Sequence, residues 1–178
     1  MASLNVIGGE IRSQPLNENF QNINTELTAH ESATTNVHGI ADTSLLSRLP
    51  LGTLGYAQVT ASQSGITTEV ALTGLSVTVN VAANRRIKIS GSAPLSGTVN
   101  GDRFQVRIKE GATMLQGAEA LINTVYYYPA HPTIVITPPA GAHTYNLTCA
   151  QLYGTGSAEM YAASSAPAYI LVEDIGPA

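Results

Sequence analysis

Over the C-terminal two thirds of the chain, apolar and polar positions alternate. Val77, Val79 and Val81 interleave with Ser76, Thr78 and Asn80; Ile87 and Ile89 with Arg86, Lys88 and Ser90; Phe104, Val106 and Ile108 with Gln105, Arg107 and Lys109. A period of two puts every second side chain on the same face, so each run predicts a strand with one buried side. The same period at Ile66, Thr68, Val70 and Leu72, and at Tyr145, Leu147 and Cys149, predicts two more. Ile134-Val135-Ile136 and Tyr169 to Val172 are unbroken apolar runs, which predict strands covered on both faces, the last one central or at an interface. Turn signals fall between and around these runs: Ser64-Gly65, Thr73-Gly74, Ala83-Asn84, Asn100-Gly101-Asp102, Glu110-Gly111, Pro138 to Gly141, and Gly154-Thr155-Gly156. Roughly eight to ten short strands without a helical stretch predict an antiparallel β-sandwich over residues 54–178, jelly-roll-like in preference to immunoglobulin-like.

The first 50 residues have a different period. Ser13 is a helix cap and Pro15 suits a first turn, after which Leu16, Phe20, Ile23, Leu27 and His30 follow at spacings of 4, 3, 4 and 3. That is the seam of a coiled coil. It spans about two heptads, fewer than the three or four that define a self-sufficient coiled coil, and so short a helix is marginal alone. Heads would have to supply the remaining contact between subunits. An amphipathic helix folded against its own head is the other reading of this stripe. Residues 31–41 break the helix with β-branched residues and Gly39; Asp42 then caps a second short helix from Thr43 to Leu49, stopped by Pro50, giving a jointed neck. Residues 1–12 carry Leu4, Val6, Ile7 and Ile11 around Gly8-Gly9 and read as an extended arm that docks into a partner, or as a loose terminus.

Composition narrows the function classes. Charged residues are 11% of the chain, against about 25% in typical domains, so the surface is neutral and hydroxyl-rich. A net charge of −4 offers no general attraction to nucleic acid. Six of the eight basic residues nevertheless fall between Arg85 and Lys109. Arg86, Lys88, Arg107 and Lys109 are candidates for a basic strip on the polar side of one sheet. Cys149 is the only cysteine, which excludes an intrachain disulfide and predicts a buried strand thiol. No basic segment leads into a long apolar run and no stretch nears about 18 apolar residues, so neither signal peptide nor membrane span is expected.

Catalytic patterns are missing where they would be legible. Hydrolysis by paired carboxylates needs two acids converging on one bond, but Glu69, Asp102, Glu110, Glu119, Glu159, Glu173 and Asp174 are scattered, and the last two point to opposite faces of one strand. There is no GxSxG elbow, and Gly154 and Gly156 lead into no helix that would cradle phosphate. His30 and His38 would approach a threefold axis in a trimer, but lack metal-ligand spacing; they read as polar seam and neck residues. His131 and His143 lie in Pro- and Gly-rich turns and are expected in solvent. Tyr126, Tyr127 and Tyr128 offer rings that stack on sugars, or that alternate into the core or a subunit contact if the run is a strand. Neither catalytic residues, metal nor cofactor are expected.

The segments from Ile7 to Phe20 and from Thr34 to Thr43 resemble the N-terminal and neck regions of tailed-bacteriophage fibre proteins, and the β-region closing with Ala168 to Pro177 resembles the C-terminal domains of small phage virion proteins. The resemblance covers most of the chain. It implies a homotrimer on the virion surface, anchored to capsid or tail proteins through its N-terminus, with a head that adheres to a host glycan or decorates the particle. The chain departs from long tail fibres in having no shaft, which leaves a short fibre, a head fibre or a capsid decoration protein. A carbohydrate-binding module and a polysaccharide depolymerase are the rival readings.

Overall fold

A computed structural model of the protein describes residues 6–7, 10–11, 14–32 and 49–178, and within its helix the side chains of Glu18 and Phe20 to His30. Leu4, the Leu16 side chain, His38 and the proposed neck helix up to Arg48 lie outside the described residues. The chain divides into two compact units, Met1–Arg48 and Leu49–Ala178.

In the first unit, β1 (Val6–Ile7) and β2 (Glu10–Ile11) pair antiparallel, Val6 opposite Ile11 and Ile7 opposite Glu10. Within the expected arm the described residues are thus two short strands paired with each other. α1 (Gln14–Ser32) starts one residue after the predicted cap and holds Pro15 in its first turn, where a missing N–H costs nothing. Thr25 and Thr28 donate their hydroxyls to the carbonyls of Gln21 and Asn24, four residues back.

The second unit is a sandwich of two antiparallel sheets. The larger contains β3 (Gly52–Val59), β13 (Ala168–Pro177), β6 (Arg85–Gly97), β12 (Ala158–Met160) and β4 (Gln63–Ile66) in that order, with β9 (Tyr128–Ala130) and β10 (Thr133–Ile136) also paired to β6. The smaller runs β5 (Val70–Val81), β11 (Gly141–Tyr153), β7 (Arg103–Glu110) and β8 (Thr113–Leu121). Ile87, Ile89, Ile170 and Val172 from one sheet meet Val77, Phe104, Val106, Ile108 and Leu147 from the other in a single buried cluster. Fully burying each such side chain contributes about 1.5–3 kcal/mol. Gly55 lies against Val77 and Val79, and Gly91 against Leu147, so a side chain at either position would run into the opposite sheet.

Several expectations are corrected. Ile66 to Leu72 is a corner between β4 and β5, with Thr68 exposed. Thr73-Gly74 and Ser64-Gly65 are bulges within strands: Gly74 and Gly65 take positive φ, and the pairing skips from Ala71 to Ser76 on β5 and from Gln63 to Ile66 on β4. Ile134-Val135-Ile136 is not covered on both faces, because β10 bonds only β6 and leaves Val135 in solvent. β13 is central, between β3 and β6, but its burial alternates: Ile170 and Val172 are interior, Tyr169 and Leu171 half-covered on the outer face.

Candidate functional site

β6 gives the sandwich a direction. Its first residue, Arg85, donates to the carbonyl of Leu49 at 2.6 Å, so the chain enters this unit beside one end of β6. Its last residues, Leu95 to Gly97, pair with Tyr128 and β12 about 33–40 Å away, at 3.3 Å per residue. We call these the near and far ends.

The near end is closed by a buried ion pair. Arg85 Nε and Nη2 donate to the two oxygens of Asp174 at 2.7 and 2.6 Å, and Asp174, 2% exposed, also accepts the Gly176 and Leu51 amides. The fork geometry matches a carboxylate in two places at once. The Arg85 guanidinium holds the Asp174 carboxyl below the usual range against an opposing push from burial. Asp174 faces inward and Glu173 outward, as their adjacency on a strand requires.

The anticipated basic strip does not form. Arg86 and Lys88 face outward from the larger sheet, Arg107 and Lys109 outward from the smaller, on opposite sides of the sandwich. Lys88 pairs with Glu173 at 3.3 Å. Arg107 and Lys109 grip the two oxygens of Glu69 at 2.8 and 2.9 Å, and Thr148 donates to the same carboxylate at 2.8 Å. Lys109 first, then Thr148, lowers the Glu69 pKa. Lys88, Arg107 and Lys109 are thus each paired within the fold, while Arg86 is exposed on the larger sheet, away from the other sheet's two cations.

His143 is not in a solvent-facing turn. It sits on β11 with its Nδ1 2.6 Å from Glu110 and its Nε2 2.9 Å from the Pro139 carbonyl. Both neighbours are acceptors, so satisfying both requires a ring protonated at both nitrogens. Glu110 first, then Pro139, raises the His143 pKa accordingly. His131 is exposed as expected. Burial pushes the Cys149 thiol up to about 12 and the Tyr145 hydroxyl to about 12, so neither is a nucleophile near neutral pH.

The far end is different. Tyr126, Tyr127 and Tyr128 lie in the segment entering β9 rather than along a buried strand, and all three rings are exposed, as are Leu121, Val125 and Tyr153. Tyr127 stacks on Tyr161 with ring centroids 4.3 Å apart. Backbone amides in these loops are held by short polar side chains. Asn123 Oδ1 accepts from Val125 and Tyr126 at 2.7 and 3.1 Å, Asn100 Oδ1 from Thr124 at 2.8 Å, and Asp102 Oδ2 from Gly156 at 2.7 Å. Asp102 is buried, and a Cβ on Gly154 would come within 2.1 Å of its carboxylate, so the glycines wrap an acid rather than a phosphate. Between the end of β8 and the start of β9 opens a depression of about 350 Å³ lined by Glu119 to Asn123, Tyr128 and Pro129.

Of the residues lining this depression, the sequence singles out Tyr128 as a candidate ligand contact and does not single out Glu119 or Asn123. Glu119 was one of several scattered acids, and only the loop that folds Tyr128 back beside β8 gives it a neighbour. Among the described residues no group of three His, Cys, Asp or Glu side chains is placed to hold a metal ion, and no helix is long and apolar enough to cross a membrane.

The chain matches no known family model and no curated protein. Solved structures with a similar trace include dimeric latent PorU from Porphyromonas gingivalis (TM-score 0.48, 6% identity, 72% of this chain and 13% of that one). A carbohydrate-binding module, CBM36, in complex with calcium and xylotriose superposes at TM-score 0.40 and 16% identity, over 66% of this chain and 98% of that one. The VP2 subviral particle protein of infectious bursal disease virus does so at 0.39 and 13%, over 71% of this chain and 38% of that one. The chain thus spans about an eighth of PorU and two fifths of VP2, and the description of the fold as a two-sheet antiparallel sandwich rests on the strand pairing itself.

Proposed function

We propose that the protein is a non-enzymatic structural appendage of a bacteriophage particle. In this reading it is a homotrimer whose N-terminal segment, with Leu4, Val6, Ile7 and Ile11, anchors it to capsid or tail proteins. Its jelly-roll-like sandwich serves as an attachment or decorating surface. The carrying observation is the stripe on α1: Phe20, Ile23 and Leu27 are 66%, 60% and 54% exposed, at the 3 and 4 spacing of a coiled-coil seam. Large apolar side chains in a row on one helix face cost free energy in water and gain it against copies of themselves. Three copies also multiply weak contacts made by the far ends of the sandwiches into useful avidity.

Native mass spectrometry of the full chain at micromolar concentration should give a trimer, and antibody raised to residues 49–178 should label the particle surface in electron micrographs. A monomer would overturn the reading. The exposed tyrosines favour one second reading, a sugar-binding module with no virion role, which a monomer that still binds saccharide would select.

A further inference from the structure

We infer that the depression at the far end of the sandwich is a binding site for an uncharged saccharide, with Glu119 and Asn123 as its polar contacts and Tyr128 as its stacking face. The inference deepens the attachment reading and rests on it only for its biological use.

Three observations converge. Glu119 is exposed and, among the described residues, its carboxylate has no hydrogen-bond or ion-pair partner, whereas Glu69, Glu110 and Glu173 are each paired. A free carboxylate is an acceptor with two oxygens, the geometry that takes two neighbouring hydroxyls of a sugar. Asn123 is oriented: its Oδ1 is occupied by the Val125 and Tyr126 amides, which leaves Nδ2 as a donor for a ring or hydroxyl oxygen. Tyr128 is 46% exposed with Pro129 beside it. An aromatic face accepts the C–H side of a pyranose while its phenol remains free to hydrogen-bond.

The depression, at about 350 Å³, is near the small end of ligand pockets, a size for one or two sugar rings rather than for a protein segment. Its floor is fixed, since Ile122 exchanges backbone bonds with Gly101 and Asp102, and Tyr128 pairs with Leu95 on β6. A site ordered before binding spends little on ordering its own loops. The charge of Glu119 selects against acidic sugars.

The test uses the full chain on an array bearing neutral hexose and N-acetylhexosamine oligosaccharides alongside sialylated and sulfated ones, with hits measured by titration calorimetry. Binding should be confined to neutral glycans and fall at least about tenfold in both Glu119→Gln and Tyr128→Ala. It should be unchanged in Met114→Ala, an exposed apolar residue beside the β7–β8 turn. Light scattering and thermal melting should be the same for all variants, which separates loss of site from loss of fold. A trimer that binds no neutral glycan, binds only acidic ones, or binds equally well in both site variants overturns the inference while leaving the trimeric virion reading standing. A monomer whose neutral-glycan binding depends on Glu119 and Tyr128 does the reverse.

Discussion

Tyr145 carries its whole ring into the core, yet its hydroxyl is a buried side-chain polar atom with no hydrogen-bond partner among the described residues. Leaving such a group unpaired costs about 1–3 kcal/mol. Tyr145→Phe should therefore leave stability unchanged or raise it by up to that amount, read as the urea midpoint at constant m; a loss above about 1 kcal/mol would mean the hydroxyl is satisfied in solution. Two other residues fix opposite slopes of stability with pH. Asp174 has its pKa depressed by Arg85, so its contribution is complete above the unfolded carboxylate value of about 3.9 and is lost as pH falls through the lower folded value. His143 has its pKa raised by Glu110 and Pro139; its contribution is complete below the unfolded value of about 6.5 and is lost as pH rises through the higher folded one. Asp174→Asn should lower the urea midpoint at pH 7 and flatten its decline between about pH 4 and 2, and His143→Gln should flatten the decline above about pH 6.5. Unchanged slopes in either variant would show that the corresponding pair does not persist in solution.

Strands were legible wherever one face meets the core and the other meets water, as in β5 at Val77 to Val81, β6 at Ile87 and Ile89, and all of β7. There, burial itself writes the period of two. Prediction failed where local and tertiary demands part. Gly74 and Gly65 look like turns because turns and bulges both call for positive φ; only the partner strand reveals that pairing resumes beyond them. Val135 looks interior because it stands in an unbroken apolar run, although β10 bonds only β6 and only Ile134 and Ile136 pack against the core. The charges of β6 and β7 seem to form one strip because a sequence does not say that their strands belong to different sheets. The glycine-rich turn at Gly154 was legible as a turn and not as a wrapping of Asp102, since the two are 52 residues apart. Its consequence is testable: Gly154→Ala adds a Cβ onto the Asp102 carboxylate at a φ of +112°. Overpacking of this kind costs about 1–3 kcal/mol, and the left-handed backbone adds to it. Gly101→Ala, which also has positive φ but open space around its Cβ position, isolates the backbone contribution and should cost less. Equal losses in the two variants would show that the Asp102 contact carries no energy.

The two compact units divide the work of assembly unequally. Unit Leu49–Ala178 has its own buried cluster and a closed near end, so the burial that drives its folding lies within the unit. The helix of the other unit has no such resource: of its described side chains, every one is exposed, and about two heptads of seam do not hold a trimer by themselves. If subunits associate, the stripe and the sandwiches must act together, each raising the effective concentration of the other. This yields an asymmetric expectation. The triple variant Phe20→Ser, Ile23→Ser, Leu27→Ser should lose most of its trimer at micromolar concentration in native mass spectra, while the melting of the sandwich, followed by the far-ultraviolet β-signal, stays within a few degrees of wild type. A fragment of residues 49–178 should melt in the same way and associate only at much higher concentration. The outcome against this arrangement is a triple variant that remains fully trimeric, which would place all the association energy in the sandwich faces. The half-covered outer row of Tyr56, Tyr169 and Leu171, with its single Lys88–Glu173 pair, would then be the first surface to substitute.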